Sequence, residues 1–181
     1  MLFARLKEAL CLQGEPVAVV WQDAVGEGVV TPKKGATSGC IVPLVRQAAF
    51  EGEVTAVGRD CFGCRGAGYH LGFLEELGPH FRYFLSCGLP GEVEGEGYKK
   101  TPELVDALMR DHFQHLPAPK DYCVFKPVSR LAPGDEPEVA IFFVNPDQLA
   151  ALVVLANYDL PGNDGVVAPF GSGCDGLVLF P

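Results

Sequence analysis

Apolar residues fall at helical spacing from residue 2 to residue 12, with Leu2, Phe3, Leu6, Ala9 and Leu10 on one side. Gly14 and Pro16 close that helix. The next run, Pro16-Val17-Ala18-Val19-Val20-Trp21, is short, continuous and rich in β-branched residues, the pattern of a buried strand. Glycine and proline then interrupt the pattern, and Gly26, Gly28, Pro32, Gly35 and Gly39 predict a loop over 23–39. After Cys40, the positions of Leu44, Val45, Ala48 and Ala49 predict a helix over about 41–51, with Pro43 in its first turn and Gly52 behind it. Glu53-Val54-Thr55-Ala56-Val57 reads as a strand that leads through Gly58 into a turn holding Cys61 and Cys64.

Tyr69 to Leu77 has helical spacing, weakened by Gly72. Phe81-Arg82-Tyr83-Phe84-Leu85 alternates enough for a strand. Residues 88–97, with four glycines and three glutamates, read as a mobile loop. Thr101-Pro102-Glu103 combines a cap, a proline at the first helical position and an acid in the first turn, so a helix runs from there to about His115, ahead of Pro117 and Pro119. Two strands follow, Tyr122-Cys123-Val124-Phe125-Lys126 and residues 138–144. Asn145 then caps a strongly apolar helix that reaches about Asn157. Gly165-Val166-Val167-Ala168 predicts a strand entering Gly171-Ser172-Gly173-Cys174, and Leu177 to Phe180 a last one.

This order predicts an α/β (or α+β) fold: one domain over residues 1–181, with a mixed central sheet and helices packed against it. Residues 88–100 and 131–137 are its widest breaks, and both read as internal loops. Helix, strand and glycine–cysteine turn occur in that order twice, over 41–64 and over 146–174. As a structural repeat with neighbouring parallel strands, this would bring Cys64 and Cys174 together at the strand ends.

Composition adds compartment and partners. Fourteen basic residues against twenty-three acidic ones give a net charge of -9, which repels phosphate backbones and argues against nucleic acid. No apolar run is long enough to cross a bilayer. The N-terminus mixes charge with apolar residues, unlike a signal peptide, so the reading is a cytoplasmic protein that does not engage a membrane. Seven cysteines, an odd number in a reducing compartment, point away from a disulfide framework and leave core filler, metal ligand or reactive thiol.

Cys40, Cys61, Cys64 and Cys174 all lie in glycine-rich turns, and together they are the candidate metal site. Four thiolates suit zinc or an iron–sulfur cluster, and the spread over three chain segments favours the cluster. Only Cys61-x-x-Cys64 has a recognised ligand spacing. The same pair could instead act as a redox dithiol with a redox partner, Arg65 and a helix start favouring the thiolate. A third reading leaves the thiols inert in a module that binds a small molecule. Cys11, Cys87 and Cys123 read as structural.

Gly66 and Gly68, in Gly66-Ala67-Gly68-Tyr69-His70-Leu71-Gly72, could bring backbone N–H groups to a cofactor phosphate; close packing around the cysteine turn is the competing use. His112 and His115 sit three apart at a helix end, where they could hold a metal or complement the helix dipole. Arg46 and Lys126 are charges among apolar neighbours, able to snorkel or to reach a carboxylate. No Ser/His/Asp order and no carboxylate pair stands out, so no catalytic residue is assigned and the chain is not read as an enzyme or a non-enzyme.

Pro16-Val17-Ala18-Val19, Cys40 before an alanine-bearing helix, Cys64-x-Gly66 leading to Leu71-Gly72, Pro137 before an apolar strand, Asn145-Pro146-x-Gln148 and the late Cys174 together resemble the domain of unknown function 169 family, labelled ArCR-like. The resemblance runs over nearly the whole chain. It implies a bacterial or archaeal protein of unsettled activity, with Cys40, Cys64 and Cys174 as the positions that match the family pattern. Cys61 is an addition to that pattern. Members continue past the last cysteine into a segment with Asp and Arg, whereas this chain stops at Pro181, so the resemblance implies a short or truncated member.

Overall fold

The computed structural model describes residues 2–36 and 39–167. In chain order the elements are α1 (Leu2–Ala9), β1 (Val17–Gln22), α2 (Val42–Glu51), β2 (Thr55–Gly58), α3 (Arg65–His70), α4 (Phe81–Phe84), α5 (Pro102–His112), β3 (Tyr122–Pro127), a 3-10 turn (Val128–Arg130), β4 (Val139–Ile141) and α6 (Pro146–Asn157). The fold is of the mixed α/β kind, a four-stranded sheet in the order β2-β3-β1-β4 with helices. The chain forms two compact units: one up to Thr31, over Val42–Ala56 and from Tyr122 on, the other over Pro32–Ile41 and Val57–Asp121.

The first unit carries β1, β3, β4 and the Thr55–Ala56 half of β2. β1 is an inner strand, which is why its apolar run is continuous rather than alternating: Val17 to Val20 are all buried. It runs antiparallel to β3, with Val19 opposite Phe125 and Trp21 opposite Cys123, and antiparallel to β4, with Val17 opposite Ile141. The β1 pairings are therefore antiparallel rather than mixed. α2 turns Val45, Ala48 and Ala49 inward and packs on β1 and β3. Thr55 is fully buried, and its hydroxyl donates to the Leu44 carbonyl at 3.0 Å. Arg46 lies over the Phe50 ring, 5.0 Å from its centre.

Lys126 reaches a carboxylate, as one of its two expected uses required. Its ammonium meets both oxygens of Asp135 at 2.8 and 2.9 Å, and the two side chains are only 12% and 7% exposed. The Gln22 amide and the Ala132 N–H also donate to Asp135, at 3.1 and 2.7 Å.

Several element boundaries differ from the expectation for local reasons. Val30, placed in a loop by the sequence, bridges in parallel to Thr55, giving its N–H to Val54 and accepting from Ala56. The strand expected over 138–144 shortens to β4 because Phe142 and Phe143 leave it to meet the rings of Phe3 and Phe50. The helix expected to reach residue 12 stops at Ala9, and Cys11 takes a positive φ of 50°. α6 keeps the expected bounds, and Asn145 and Gln148 close a reciprocal capping box on it. No strand forms over 165–167: the Gly165 N–H is bonded to Asn157 Oδ1 at 3.0 Å, which ties the chain to the end of α6. The repeat that required a parallel strand there has no such strand among the described residues. Ala168, the Ser172-Gly173-Cys174 turn and the expected strand at Leu177–Phe180 lie outside them.

In the second unit, the helix expected over 69–77 is instead α3, ending before Gly72, whose φ of +73° stops it. Gly72 is also crossed at close range by the backbone of Leu116, Pro117 and Ala118, and its carbonyl accepts from the Ala118 N–H at 3.0 Å. Residues Phe81–Phe84, expected as a strand, form the short helix α4. None of its residues is buried, so no sheet rewards an extended form. Gly88, at a φ of +78°, returns its N–H to the Tyr83 carbonyl behind it. The glycine-rich loop that follows is stitched to α4: Glu96, Gly97 and Lys99 donate to the carbonyls of Phe84, Ser86 and Leu85.

α5 begins as expected, with the Thr101 hydroxyl accepting from Leu104 N at 3.4 Å. Thr101→Ala should lower stability by about 1 kcal/mol. A shift of the urea midpoint checks this; an unmoved midpoint would mean that Pro102 and Glu103 start the helix unaided. α5 ends at His112, with Phe113 extended, so His112 and His115 do not share a helix face. His115 instead stacks on Tyr69, with ring centres 4.5 Å apart, and its Nε2 meets the Leu74 carbonyl at 2.9 Å.

Candidate functional site

Two turns of the second unit build the site. In the first, Cys61 N donates to the Gly58 carbonyl at 3.0 Å, folding the chain back directly after β2. Gly63 then takes a φ of +79°, and Cys64 enters α3. The second is the loop that ends in Gly39-Cys40, where Gly39 has a φ of +135°.

The two meet at two places. Gly35 N donates to the Asp60 carbonyl at 2.7 Å, and the Lys34 ammonium meets the Asp60 carboxylate at 2.6 Å. That ammonium holds the Asp60 carboxyl below the usual carboxylate range. Further along, the Gly39 carbonyl oxygen lies 3.3 Å from where a Cβ on Gly63 would sit. The residues immediately following these two glycines are Cys40 and Cys64.

The three described turn cysteines differ in environment. Cys40 is exposed, Cys64 is half-buried and Cys61 is buried. Cys64 caps α3, its sulfur accepting from Ala67 N at 3.3 Å as a serine or aspartate oxygen would. Burial pushes the Cys61 thiol pKa up, and the neighbouring Asp60 carboxylate adds to the rise. A thiol so placed is a poor nucleophile at neutral pH. Among the described residues, no three His, Cys, Asp or Glu side chains gather as a metal-binding group. Cys174, the remaining candidate ligand, lies outside the described residues.

The cysteines read as structural divide in two. Cys123 is fully buried in β3, with its pKa driven up by burial and, secondarily, by Glu138. Cys11 and Cys87 are exposed, so neither is core filler. Gly68 is buried and serves packing: a Cβ there would sit 2.9 Å from the Phe62 ring, and its N–H is already given to the Cys64 carbonyl at 2.9 Å. That N–H is not available to a phosphate. A Cβ on Gly66 would meet the Cys64 sulfur at 3.9 Å.

Two open cavities are lined by other residues. One of about 510 Å³, in the first unit, is lined by residues that include Lys7, Glu8, Cys11 and Glu15. Another of about 380 Å³, in the second unit, includes Tyr69, Glu76, Arg82 and Asp106. Neither is lined by Cys40, Cys61 or Cys64.

The Lys34–Asp60 and Gly35–Asp60 links were not anticipated from the sequence. Their one signal in the sequence was Gly35 directly after two lysines. No helix among the described residues is long and apolar enough to cross a membrane.

The family model for domain of unknown function 169, described as uncharacterised ArCR, matches residues 5–181. No curated protein and no solved structure matches the chain.

Proposed function

We propose that this chain, which belongs to the domain of unknown function 169 family, is a cytoplasmic protein that holds a metal centre on thiolates, with Cys40 and Cys64 as ligands. Cys174 would be the third. The observation that carries this reading is the close approach of Gly39 and Gly63, which brings the Cys40 and Cys64 segments side by side in one unit. Cys61 is left out of this ligand set because its side chain is buried, whereas Cys40 is exposed and Cys64 half-buried.

Thiolates are soft donors and select zinc or iron–sulfur clusters over magnesium or calcium. Zinc would lock the turns together, and a cluster would add electron transfer. The protein's part is to keep the ligand segments in register through Lys34, Gly35 and Asp60. The ligands need a reducing compartment, which supports the cytoplasm. A dithiol oxidoreductase built on Cys61 and Cys64 has less support, because the same burial disfavours the Cys61 thiolate.

Anaerobic purification with iron, zinc and sulfide analysis tests the reading. Wild-type protein should carry stoichiometric zinc, or iron with visible sulfur-to-iron absorption. Cys40→Ser and Cys64→Ser should each lose it, while Cys61→Ser keeps it. A metal-free wild type with freely titrating thiols would overturn the proposal, as would a metal content indifferent to Cys40 and Cys64.

A further inference from the structure

We infer that the cavity bordered by α3, α4 and α5 in the second unit binds a small organic ammonium ion carrying an apolar body. The inference is independent of the cysteine reading, since none of the turn cysteines lines this cavity.

The cavity measures about 380 Å³, within the range of small-molecule pockets. Its apolar wall comes from all three helices. Tyr69 belongs to α3, Phe81 to α4, and Val105 and Met109 lie one turn apart on α5. Val105 is buried, whereas Glu75 and Glu76 are exposed. Apolar groups therefore form the floor and carboxylates the rim.

The walls are fixed before any ligand arrives. Tyr69 stacks on His115, with ring centres 4.5 Å apart, and His70 meets the same ring edge-on at 5.4 Å. Arg82 ties α4 to α5: its Nη1 donates to Asp106 at 2.5 Å and its Nη2 meets Glu103 at 3.2 Å. A pocket already ordered in this way loses little freedom on binding.

Charge selects the ligand. The charged residues of the lining are Glu75, Glu76, Arg82 and Asp106, three acids against one base. That base is already committed to Asp106 and Glu103. Among the described residues, no ion pair takes up Glu75 or Glu76. An anion would have to displace Asp106 from Arg82 and settle beside two further carboxylates. A cation instead meets carboxylates at the rim and aromatic rings within, and both attract it.

A bare metal ion fits less well. Among the described residues, no three His, Cys, Asp or Glu side chains gather as a metal-binding group, and Phe81, Val105 and Met109 offer a hard cation no oxygen. An ammonium group on an apolar body uses both halves of the site.

Phenethylammonium and its charge-inverted counterpart, 3-phenylpropionate, are the probes. In heteronuclear NMR titrations of the full chain, phenethylammonium should saturate, with shifts centred on residues 69, 75–82 and 105–109. It should bind at least about tenfold more tightly than 3-phenylpropionate. Magnesium at equal concentration should not displace it. Glu75→Gln/Glu76→Gln, which alters exposed positions only, should weaken phenethylammonium about fivefold with the fold unchanged. Adding Asp106→Asn leaves Arg82 as the one charged residue of the lining and should reverse the preference toward 3-phenylpropionate. Should that triple variant misfold by circular dichroism, the rim variant decides alone. Failure of phenethylammonium to saturate, equal binding of the two probes, displacement by magnesium, shifts centred elsewhere, or a rim variant of unchanged affinity would each overturn the inference.

Discussion

Asp135→Ala should cost about 3–5 kcal/mol of unfolding free energy, because it strands a buried ammonium. Lys126 is 12% exposed, and its ammonium contacts both oxygens of this carboxylate. The Gln22 amide and the Ala132 N–H lose their acceptor in the same step. Lys126→Met should be similarly damaging, since it leaves the carboxylate buried without its cation. Replacing both partners, as Lys126→Met/Asp135→Leu, should recover much of the loss, because two apolar groups need no compensation. Urea unfolding of the three variants measures this cycle. Single-variant losses under about 1 kcal/mol would reduce the pair to a surface-type contact.

The pair also sets a pH dependence. Burial by itself would raise the Asp135 pKa; the Lys126 ammonium, the Ala132 N–H and the Gln22 amide outweigh it and hold the carboxyl below its ordinary value. The folded form therefore binds its proton less readily than the unfolded chain. Its stabilisation is complete above the unfolded aspartate pKa of about 3.9 and disappears as the pH falls through the lower folded value. Asp135→Asn should flatten that acid limb of the stability curve. An acid limb unchanged in the variant would assign it to other carboxylates.

Gly72→Ala is expected to be the most damaging single methyl in the second unit, at about 3 kcal/mol or more. Two costs combine. The φ of +73° is strained for any residue with a Cβ, and the added carbon would enter the backbone of Leu116, Pro117 and Ala118. Backbone in contact with backbone has no rotamer through which to escape. The Gly72–Ala118 hydrogen bond would break with the displacement. Gly91→Ala is the control: its φ is +77°, but nothing lies near a Cβ there, so only the conformational cost applies. Thermal and urea unfolding compare the two, and equal losses would show that the crossing segment gives way.

The elements whose signals are local were readable in advance. Thr101-Pro102-Glu103 and Asn145-Pro146-x-Gln148 carry their own caps, and α5 and α6 start where these sequences say. The apolar run of β1 announced a buried strand, and Lys126 stood out as a charge among apolar neighbours, able to snorkel or to reach a carboxylate. Elements whose reward is remote were not readable. Phe81–Phe84 alternates like a strand but has no strand to pair with among the described residues, and short-range bonds curl it into a helix. Phe142 and Phe143 look like strand residues until Phe3 and Phe50 draw them off. The same division runs through the candidate site. Glycine-rich turns around Cys40, Cys61 and Cys64 were visible in the sequence, while the burial of Cys61 was not.

Chain chemistry by itself determined the family, the starts of α5 and α6, the buried strand β1 and which cysteines sit beside flexible backbone. Folding in three dimensions decided which strands pair, that Asp135 answers Lys126, and that Gly39 meets Gly63 while Cys61 turns inward. The reason is range: caps and turns are satisfied within a few residues, whereas burial and pairing depend on atoms that lie far away along the chain.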